Sequence, residues 1–226
     1  MCARGFDNLV NQREILRRFI DEIELFNDAY GLVKVSNRDE LIRKHILDSL
    51  APLEIIERLL GLGEIPQKSF PKIADAGSGA GLPGIPLAVC MTQAEFTLIE
   101  RMGRRAGFLQ NCVAMLGLSN VSVEETEIEK AAPGRFDVIV FRAFRPLTPD
   151  ILNSLFRLLN PRGFLAAWKG RLDHSRDEMI NAEKNMPGLK WEILPVNVPF
   201  LEEQRHLTVI GAPTKIGAPI SVSASY

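Results

Sequence analysis

The stretch from Lys72 to Ala88 constrains the fold of this chain more than any other. It begins with a short apolar run, continues through closely spaced glycines, and ends in residues that suit a helix. This order predicts a buried strand, a tight turn and the first turn of a helix. Because glycine has no Cβ and accepts positive φ, a ligand can approach the turn closely. The stretch therefore predicts a small-molecule site beside the free N–H groups of a helix N-terminus.

Strands and helices alternate from residue 71 onward. Strands are predicted at 72–75, 95–100, 120–124, 136–141, 163–168, 190–196 and 206–211. Helices are predicted at 82–91, 103–116, 148–159 and 173–184. Repeated strand–helix units predict an α/β fold with a doubly wound, mostly parallel, Rossmann-like sheet. The short connection between the last two strands predicts an antiparallel C-terminal strand at the sheet edge.

The residues before the glycine-rich stretch follow a different pattern. Apolar residues recur at helical spacing over residues 6–29, and a second helical region covers residues 38–60, with a break at Pro52. Three segments are predicted: a helical N-terminal cap packed on the core at 1–65, a ligand-binding core at 66–212, and a mobile tail at 213–226 rich in Gly, Pro, Ser and Ala.

The overall composition narrows the class of protein. The chain has 226 residues, 46% of them hydrophobic and 24% charged, with a net charge of −1. These values are typical of a globular protein whose partners, if nucleic acids, bind a local basic patch. Three cysteines without a CxxC motif or a Cys/His cluster argue against a metal site. The sequence also has no long apolar run and no signal peptide, which predicts a cytoplasmic protein without a membrane partner.

Two acidic residues indicate which ligand the glycine-rich turn binds. The spacing of Gly79, Gly81 and Gly84 fits a dinucleotide fingerprint, and Glu100 ends the next strand, where a carboxylate can hold ribose hydroxyls. Asp75, directly before the turn, would repel a pyrophosphate and attract the ammonium and sulfonium groups of S-adenosylmethionine. These residues favour S-adenosylmethionine, and they leave NAD and a turn without a ligand as alternatives.

Longer motifs distinguish between these ligands more specifically. The run Leu82-Pro83-Gly84-Ile85-Pro86 follows the glycines. Four further segments occur in order: Lys44–Ser49, Gly103-Arg104-Arg105 with Phe108-Leu109, Phe136-Asp137 with Arg142-Ala143-Phe144, and Lys169-Gly170 with Arg205-His206-Leu207. In these features the chain, from about residue 15 to 211, resembles the ribosomal RNA small-subunit methyltransferase G family (GidB). The resemblance implies a methyltransferase fold that transfers a methyl group from S-adenosylmethionine to N7 of a guanine in 16S ribosomal RNA of the small ribosomal subunit.

The resemblance also implies which residues bind the cofactor. The predicted cofactor-binding set comprises Asp75, Gly77, Ser78, Gly79, Gly81, Leu82, Glu100, Ile128, Glu129 and Arg142. In this set Glu100 would hold the ribose, Glu129 would lie beside the adenine, and Arg142 would stand between cofactor and guanine. One departure from the family pattern is Glu127, where an arginine is usual.

The proposed reaction needs little from the protein chemically. Guanine N7 carries a lone pair and no proton, so the transfer requires alignment rather than a general base. Arg142 is the predicted catalytic residue, because an arginine can donate to the neighbouring O6 and leave N7 free. A contact with phosphate or with the cofactor carboxylate is the alternative role for Arg142.

Basic side chains of the cap and of the strand ends are predicted to bind RNA. The set comprises Lys44, His45, Arg101, Arg104, Arg105, Arg145, Lys169 and Arg205. Because ligands bind outside the carboxyl ends of parallel strands, Arg101, Arg142, Arg145 and Lys169 are expected on one rim. Two other functions stay open: a non-catalytic RNA- or partner-binding protein of the same fold, and a small-molecule methyltransferase.

Overall fold

The computed structural model describes residues 3–62 and 70–211. The predicted boundary between residues 65 and 66 and the predicted tail at 213–226 lie outside the described residues. The helices are α1 (Ala3–Tyr30), α2 (Arg38–Leu41), α3 (Asp48–Leu50), α4 (Leu53–Leu59), α5 (Gly84–Cys90), α6 (Gly103–Leu116), α7 (Pro149–Leu158) and α8 (Leu172–Asn185). The strands are β1 (Lys72–Ala76), β2 (Glu95–Glu100), β3 (Val121–Glu125), β4 (Phe136–Arg142), β5 (Leu159–Lys169), β6 (Lys190–Val196) and β7 (Arg205–Gly211).

The seven strands form one sheet in the order β3-β2-β1-β4-β5-β7-β6. Strand β1 pairs in parallel with both β2 and β4, and β4 pairs in parallel with β5. Strand β7 lies between β5 and β6 and is antiparallel to both. The predicted doubly wound sheet with an antiparallel C-terminal strand is therefore confirmed. The strand order reverses between β1 and β4, and ligands of open α/β sheets bind outside the carboxyl ends of the strands at such a point.

Apolar residues cover both faces of the sheet. On one face, Phe19 and Ile23 of α1 are fully buried in the same core as Ile85 of α5 and Leu109 of α6. On the other face, Leu152 of α7 and Met179 of α8 are fully buried. Helix α1 thus shares its core with the helices that follow β1 and β2, which fixes the N-terminal helices relative to the glycine-rich turn.

The second helical region contains an irregular turn. The side chain of Asn37 caps α2 by accepting from the backbone N–H of Glu40 at 2.9 Å. A π-helical turn then runs from Ile42 to Leu47 and leads directly into α3. Such turns often occur at functional sites. This one carries Lys44 and His45, and Asp48 follows it.

The described residues contain neither a membrane-spanning helix nor a cluster of metal-binding side chains. Among the helices that the structure describes, none is both long and apolar enough to cross a membrane. Within residues 3–62 and 70–211, no group of three or more His, Cys, Asp or Glu side chains could hold a metal ion.

Candidate functional site

A cavity of about 670 Å³ lies where the strand order reverses. Its walls come from the segment after β1, the first turn of α6, the end of β4 and the segment after it, the end of β5, the start of β7 and the N-terminal region. The lining residues are Leu32, Val33, Lys34, Lys44, His45, Asp48, Gly77, Ser78, Gly79, Ala80, Leu82, Arg105, Arg142, Ala143, Phe144, Trp168, Lys169, Gly170 and Arg205. Of the glycine-rich turn, Gly77, Ser78, Gly79 and Leu82 contribute to this lining, whereas Gly81 does not.

The glycine loop, residues 77–84, has a conformation that its glycines make possible. Gly77 has a φ of 69°, and a Cβ on it would lie 2.7 Å from the ring of Phe144. The backbone N–H groups of Gly77 and Ser78 both donate to the carbonyl oxygen of Ile99, at 2.8 and 3.1 Å. These bonds tie the loop to the end of β2. The loop thus presents bare backbone at the cavity, as a closely bound small molecule requires.

Asp75 lies behind the glycine loop. Its side chain is 1% exposed, and Oδ2 accepts from the backbone N–H of Gly84 at 2.9 Å. Desolvation raises the pKa of Asp75 to about 7, because burial favours the neutral acid. Its Oδ1 is buried and has no hydrogen-bond partner among the residues that the structure describes. An orphaned acidic oxygen beneath a bare glycine loop fits a ligand with a cationic group, as S-adenosylmethionine has.

Glu100 lies at the end of β2 and is buried. Its Oε2 accepts from the backbone N–H of Gly79 at 2.9 Å, and its Oε1 accepts from that of Met102 at 2.9 Å. A carboxylate has about four acceptor sites, so each oxygen retains capacity for another donor. The position and this capacity suit a ribose, and the assignment stays a prediction.

The predicted adenine side lies outside the cavity lining. Ile128 is buried, and the exposed Glu129 forms an ion pair with Arg145 at 2.8 Å. The guanidinium of Arg145 also lies 5.1 Å from the centre of the Phe144 ring. Glu127 pairs with Lys130 at 3.1 Å, and that hydrogen bond lowers the pKa of Glu127. The extra acid of this chain is thus neutralised locally.

Arg142 and Arg205 meet a single buried carboxylate, that of Asp48. Arg142 donates through Nη1 to Oδ2 at 2.8 Å, and Arg205 donates through Nε to Oδ1 at 2.9 Å. Nη2 of Arg142 lies 2.9 Å from Nδ1 of His45. The sequence prediction included both arginines and His45 but missed Asp48. The available signal was its position three residues after His45, which places both on one helical face.

The other predicted RNA-binding residues divide into two groups. Lys44, Lys169 and Arg105 line the cavity together with His45 and Arg205. Lys44 pairs with Glu40 at 2.8 Å and Lys169 with Glu178 at 2.6 Å. The exposed residues Arg101, Arg104 and Arg145 are not part of the lining. Arg142 and Lys169 therefore share the cavity wall, whereas the expected neighbours Arg101 and Arg145 lie outside it, and all these roles stay predictions.

The raised pKa of Asp75 predicts an unusual pH dependence of stability. Between about pH 4 and 7 the folded chain holds the Asp75 proton while the unfolded chain has released it, so the contribution of Asp75 to stability falls as the pH rises. Asp75→Asn, which keeps an acceptor for the Gly84 N–H, should therefore gain stability over the wild type across this window, by at most about 4 kcal/mol.

The measurement for Asp75→Asn is urea unfolding of the cofactor-free protein at several pH values from 4 to 8. The difference in unfolding free energy between variant and wild type should grow with pH and level off above pH 7. Parallel stability curves for the two proteins would show that Asp75 is already ionised in the folded chain at pH 5.

Solved methyltransferases are among the structures that resemble this chain. A SAM-dependent methyltransferase from Aquifex aeolicus aligns with a TM-score of 0.53 at 18% identity, covering 73% of this chain and 91% of that one. A ribosomal protein L11 methylase from Lactobacillus delbrueckii aligns with a TM-score of 0.52 at 15% identity, covering 77% and 79%. This chain therefore shares the fold of this class of solved methyltransferases, with its glycine loop at the point where the strand order reverses.

Sequence comparison identifies the family within this class. The family model described as GidB, rRNA small subunit methyltransferase G, matches residues 12–208. A ribosomal RNA small subunit methyltransferase G from Treponema denticola is 35% identical over 221 residues, covering 88% of this chain and 86% of the relative. One of the same name from Actinobacillus pleuropneumoniae is 36% identical over 202 residues, covering 89% and 90%. The chain belongs to the rRNA small subunit methyltransferase G family, as its motifs predicted.

Proposed function

We propose that this protein transfers the methyl group of S-adenosylmethionine to N7 of a guanine in 16S ribosomal RNA of the small ribosomal subunit. The observation that carries the proposal is a basic cavity that opens directly beside the glycine loop in a member of this family. Such a substrate implies that the enzyme works in the cytoplasm, on the small subunit or on its RNA.

The charge of the cavity supports an RNA substrate. Its lining contains the cations Lys34, Lys44, Arg105, Arg142, Lys169 and Arg205 and a single carboxylate, that of Asp48. Desolvation, followed by the charge of Arg142, lowers the pKa of His45 to about 4, so its imidazole is neutral at pH 7. The chain as a whole has a net charge of −1. The basic character is therefore local, as phosphate binding by an otherwise acidic protein requires.

The residues around the glycine loop fit the cofactor. Gly77, Gly79 and the free lone pairs of Glu100 suit its methionine and ribose parts, and the orphaned Oδ1 of Asp75 suits a cationic group. When bound, S-adenosylmethionine supplies an electrophilic methyl group. The protein then has to hold the guanine with N7 uncovered, and Arg142 can do so by donating to O6.

The decisive experiment compares 16S ribosomal RNA from cells with and without this gene. N7-methylguanosine should be present at one position in the first RNA and absent in the second. Purified protein should restore it on small subunits, or on their RNA, from the deletion strain. A small subunit whose modification does not depend on the gene would overturn the proposal, as would transfer to a small molecule alone.

An RNA substrate also predicts the effect of charge reversal outside the cavity. Arg104→Glu should weaken binding of the ribosomal substrate and lower the slope of log K against log salt by about 1, if Arg104 contacts one phosphate. The matched control is Arg162→Glu, because Arg162 is also exposed but lies near the start of β5, whereas Arg104 follows the carboxyl end of β2. Filter binding from 50 to 300 mM salt measures both slopes, and equal slopes would exclude Arg104 from the RNA face.

A further inference from the structure

Asp48 lies at a junction of four structural elements, and none of the predicted roles includes it. It begins α3, and its carboxylate joins Arg142 at the end of β4 to Arg205 at the start of β7. Its backbone carbonyl accepts from the indole N–H of Trp168 in β5 at 3.0 Å. The Asp48 side chain is 5% exposed. Both arginines line the cavity, so the carboxylate orients two of its cations at once.

The charges at this junction do not balance. One carboxylate faces two guanidinium groups, which leaves a net positive charge at the cavity wall. A buried ion pair is weak support for a role in stability, because desolvation offsets much of its attraction. Holding two functional side chains in a fixed geometry is a role that this arrangement fits better, since an arginine pair without Asp48 would repel.

The junction also determines the protonation state of a histidine. A guanidinium has no acceptor, so Nδ1 of His45 must accept the hydrogen bond that Nη2 of Arg142 donates. His45 is therefore neutral, with its own proton on Nε2. Asp48 holds Arg142, Arg142 fixes the tautomer of His45, and His45 lines the cavity.

We propose that Asp48 is a positioning residue for methyl transfer, which holds Arg142, Arg205 and the Nε2–H tautomer of His45 as one rigid set of donors for the guanine O6 and its phosphate. This inference rests on the proposed function. A donor set fixed on O6 would hold the purine plane while N7 stays uncovered. The contact with Arg142 also excludes a protonated His45 at neutral pH, because the Nδ1–H of that form would face Arg142 as a second donor.

The charge of Asp48 has a second consequence for the transfer step. The N7 lone pair forms the new bond to the methyl carbon, the C–S bond breaks with both electrons remaining on sulfur, and no proton moves. The guanine thereby becomes cationic. A lone arginine beside it would oppose this change, whereas an arginine already paired with a carboxylate opposes it less. Asp48 thus reduces the barrier that an unpaired Arg142 would impose while it holds O6.

The test compares Asp48→Asn with Asp48→Glu, using single-turnover methyl transfer to small subunits that lack the modification. Asp48→Asn should lower the rate at least tenfold while the affinities for cofactor and substrate change less than threefold. Asp48→Glu should restore part of the rate. Glu124→Gln is the matched control, because Glu124 pairs with Arg135 outside the cavity and its loss should leave the rate within twofold.

Nitrogen NMR of the histidines reports the tautomer of His45, which would not change if Asp48 had only a structural role. In the wild type at pH 7, His45 should show a proton on Nε2 alone, and Asp48→Asn should give a mixture of tautomers. An unchanged rate, an unchanged tautomer, or a rate loss matched by lost cofactor affinity would each overturn the inference. Should Asp48→Asn not fold, Arg142→Met, which removes the donor to Nδ1, must give the same tautomer mixture. The NMR test is independent of the RNA substrate, so failure of the proposed function remains distinguishable.

Discussion

Gly84→Ala is expected to lower the free energy of unfolding by about 1–3 kcal/mol or more and to abolish cofactor binding. A Cβ at this position would lie 2.5 Å from Cδ2 of Leu98 and 2.7 Å from Oδ2 of Asp75. Because both neighbours are fully buried side chains of the sheet, moving them aside would disturb the packing of α5 on the sheet. The shift would also break the bond from the Gly84 N–H to Asp75, which anchors the end of the glycine loop.

Gly107→Ala is the matched control for this prediction. Gly107 lies in α6, is exposed, and within the described part of the chain has no atom within 4 Å of its Cβ position. The same substitution there should raise the free energy of unfolding by about 0.5–1 kcal/mol, because alanine is the better helix former. Urea unfolding and calorimetry with S-adenosylmethionine measure both variants. If a stable Gly84→Ala variant still bound the cofactor, the glycine loop would tolerate a larger distance between α5 and the sheet.

The fold was predictable because its signals are local. The alternation of apolar runs and helical segments gave seven strands, each within a few residues of its observed bounds. The glycine loop was predictable for the same reason, since its glycines and prolines specify a strand, a turn and a helix without help from the rest of the chain. The π-helical turn at Ile42–Leu47 was not, because the periodicity of this region fits a regular helix equally well.

The burial of the Asp75 side chain was harder to predict than its place at the end of β1. Side chains alternate along a strand, so Ile73 and Asp75 of β1 share the face covered by α5, while Ala74 and Ala76 face the other way. The sequence therefore indicates the direction of the carboxylate. It does not reveal that Gly84 closes over it, because that contact depends on how tightly α5 packs on the sheet.

The contacts of Asp48 with the two arginines could not be predicted from any local sequence pattern. Asp48 is 94 residues from Arg142 and 157 residues from Arg205 in the sequence. Each arginine was predicted as a basic residue near a strand end, and no spacing rule joins either of them to an acid in the N-terminal helices. Only the packing of those helices against the sheet brings the carboxylate between the two guanidinium groups.

Arg142→Lys is expected to reduce methyl transfer to the ribosomal substrate on the order of 100-fold, the usual cost of losing a catalytic hydrogen-bond donor. Arg142 reaches Asp48 with one Nη and His45 with the other, at 2.8 and 2.9 Å. A lysine keeps the positive charge but concentrates it on one nitrogen, which lacks the planar fork needed to hold both partners and a guanine O6. Because Asp48 would still face two cations, the free energy of unfolding should change by less than about 1 kcal/mol.

Arg135→Lys separates this geometric effect from a general intolerance of lysine. Arg135 also uses two Nη groups, to the two carboxylate oxygens of Glu124 at 3.1 and 2.6 Å, but it lies outside the cavity. The methyl-transfer rate of the Arg135→Lys variant should stay within twofold of that of the wild type. Single-turnover rates at saturating cofactor make the comparison. If Arg142→Lys kept more than a third of the wild-type rate, a single charge at this position would suffice, and the guanine would have to be held by groups other than the guanidinium fork.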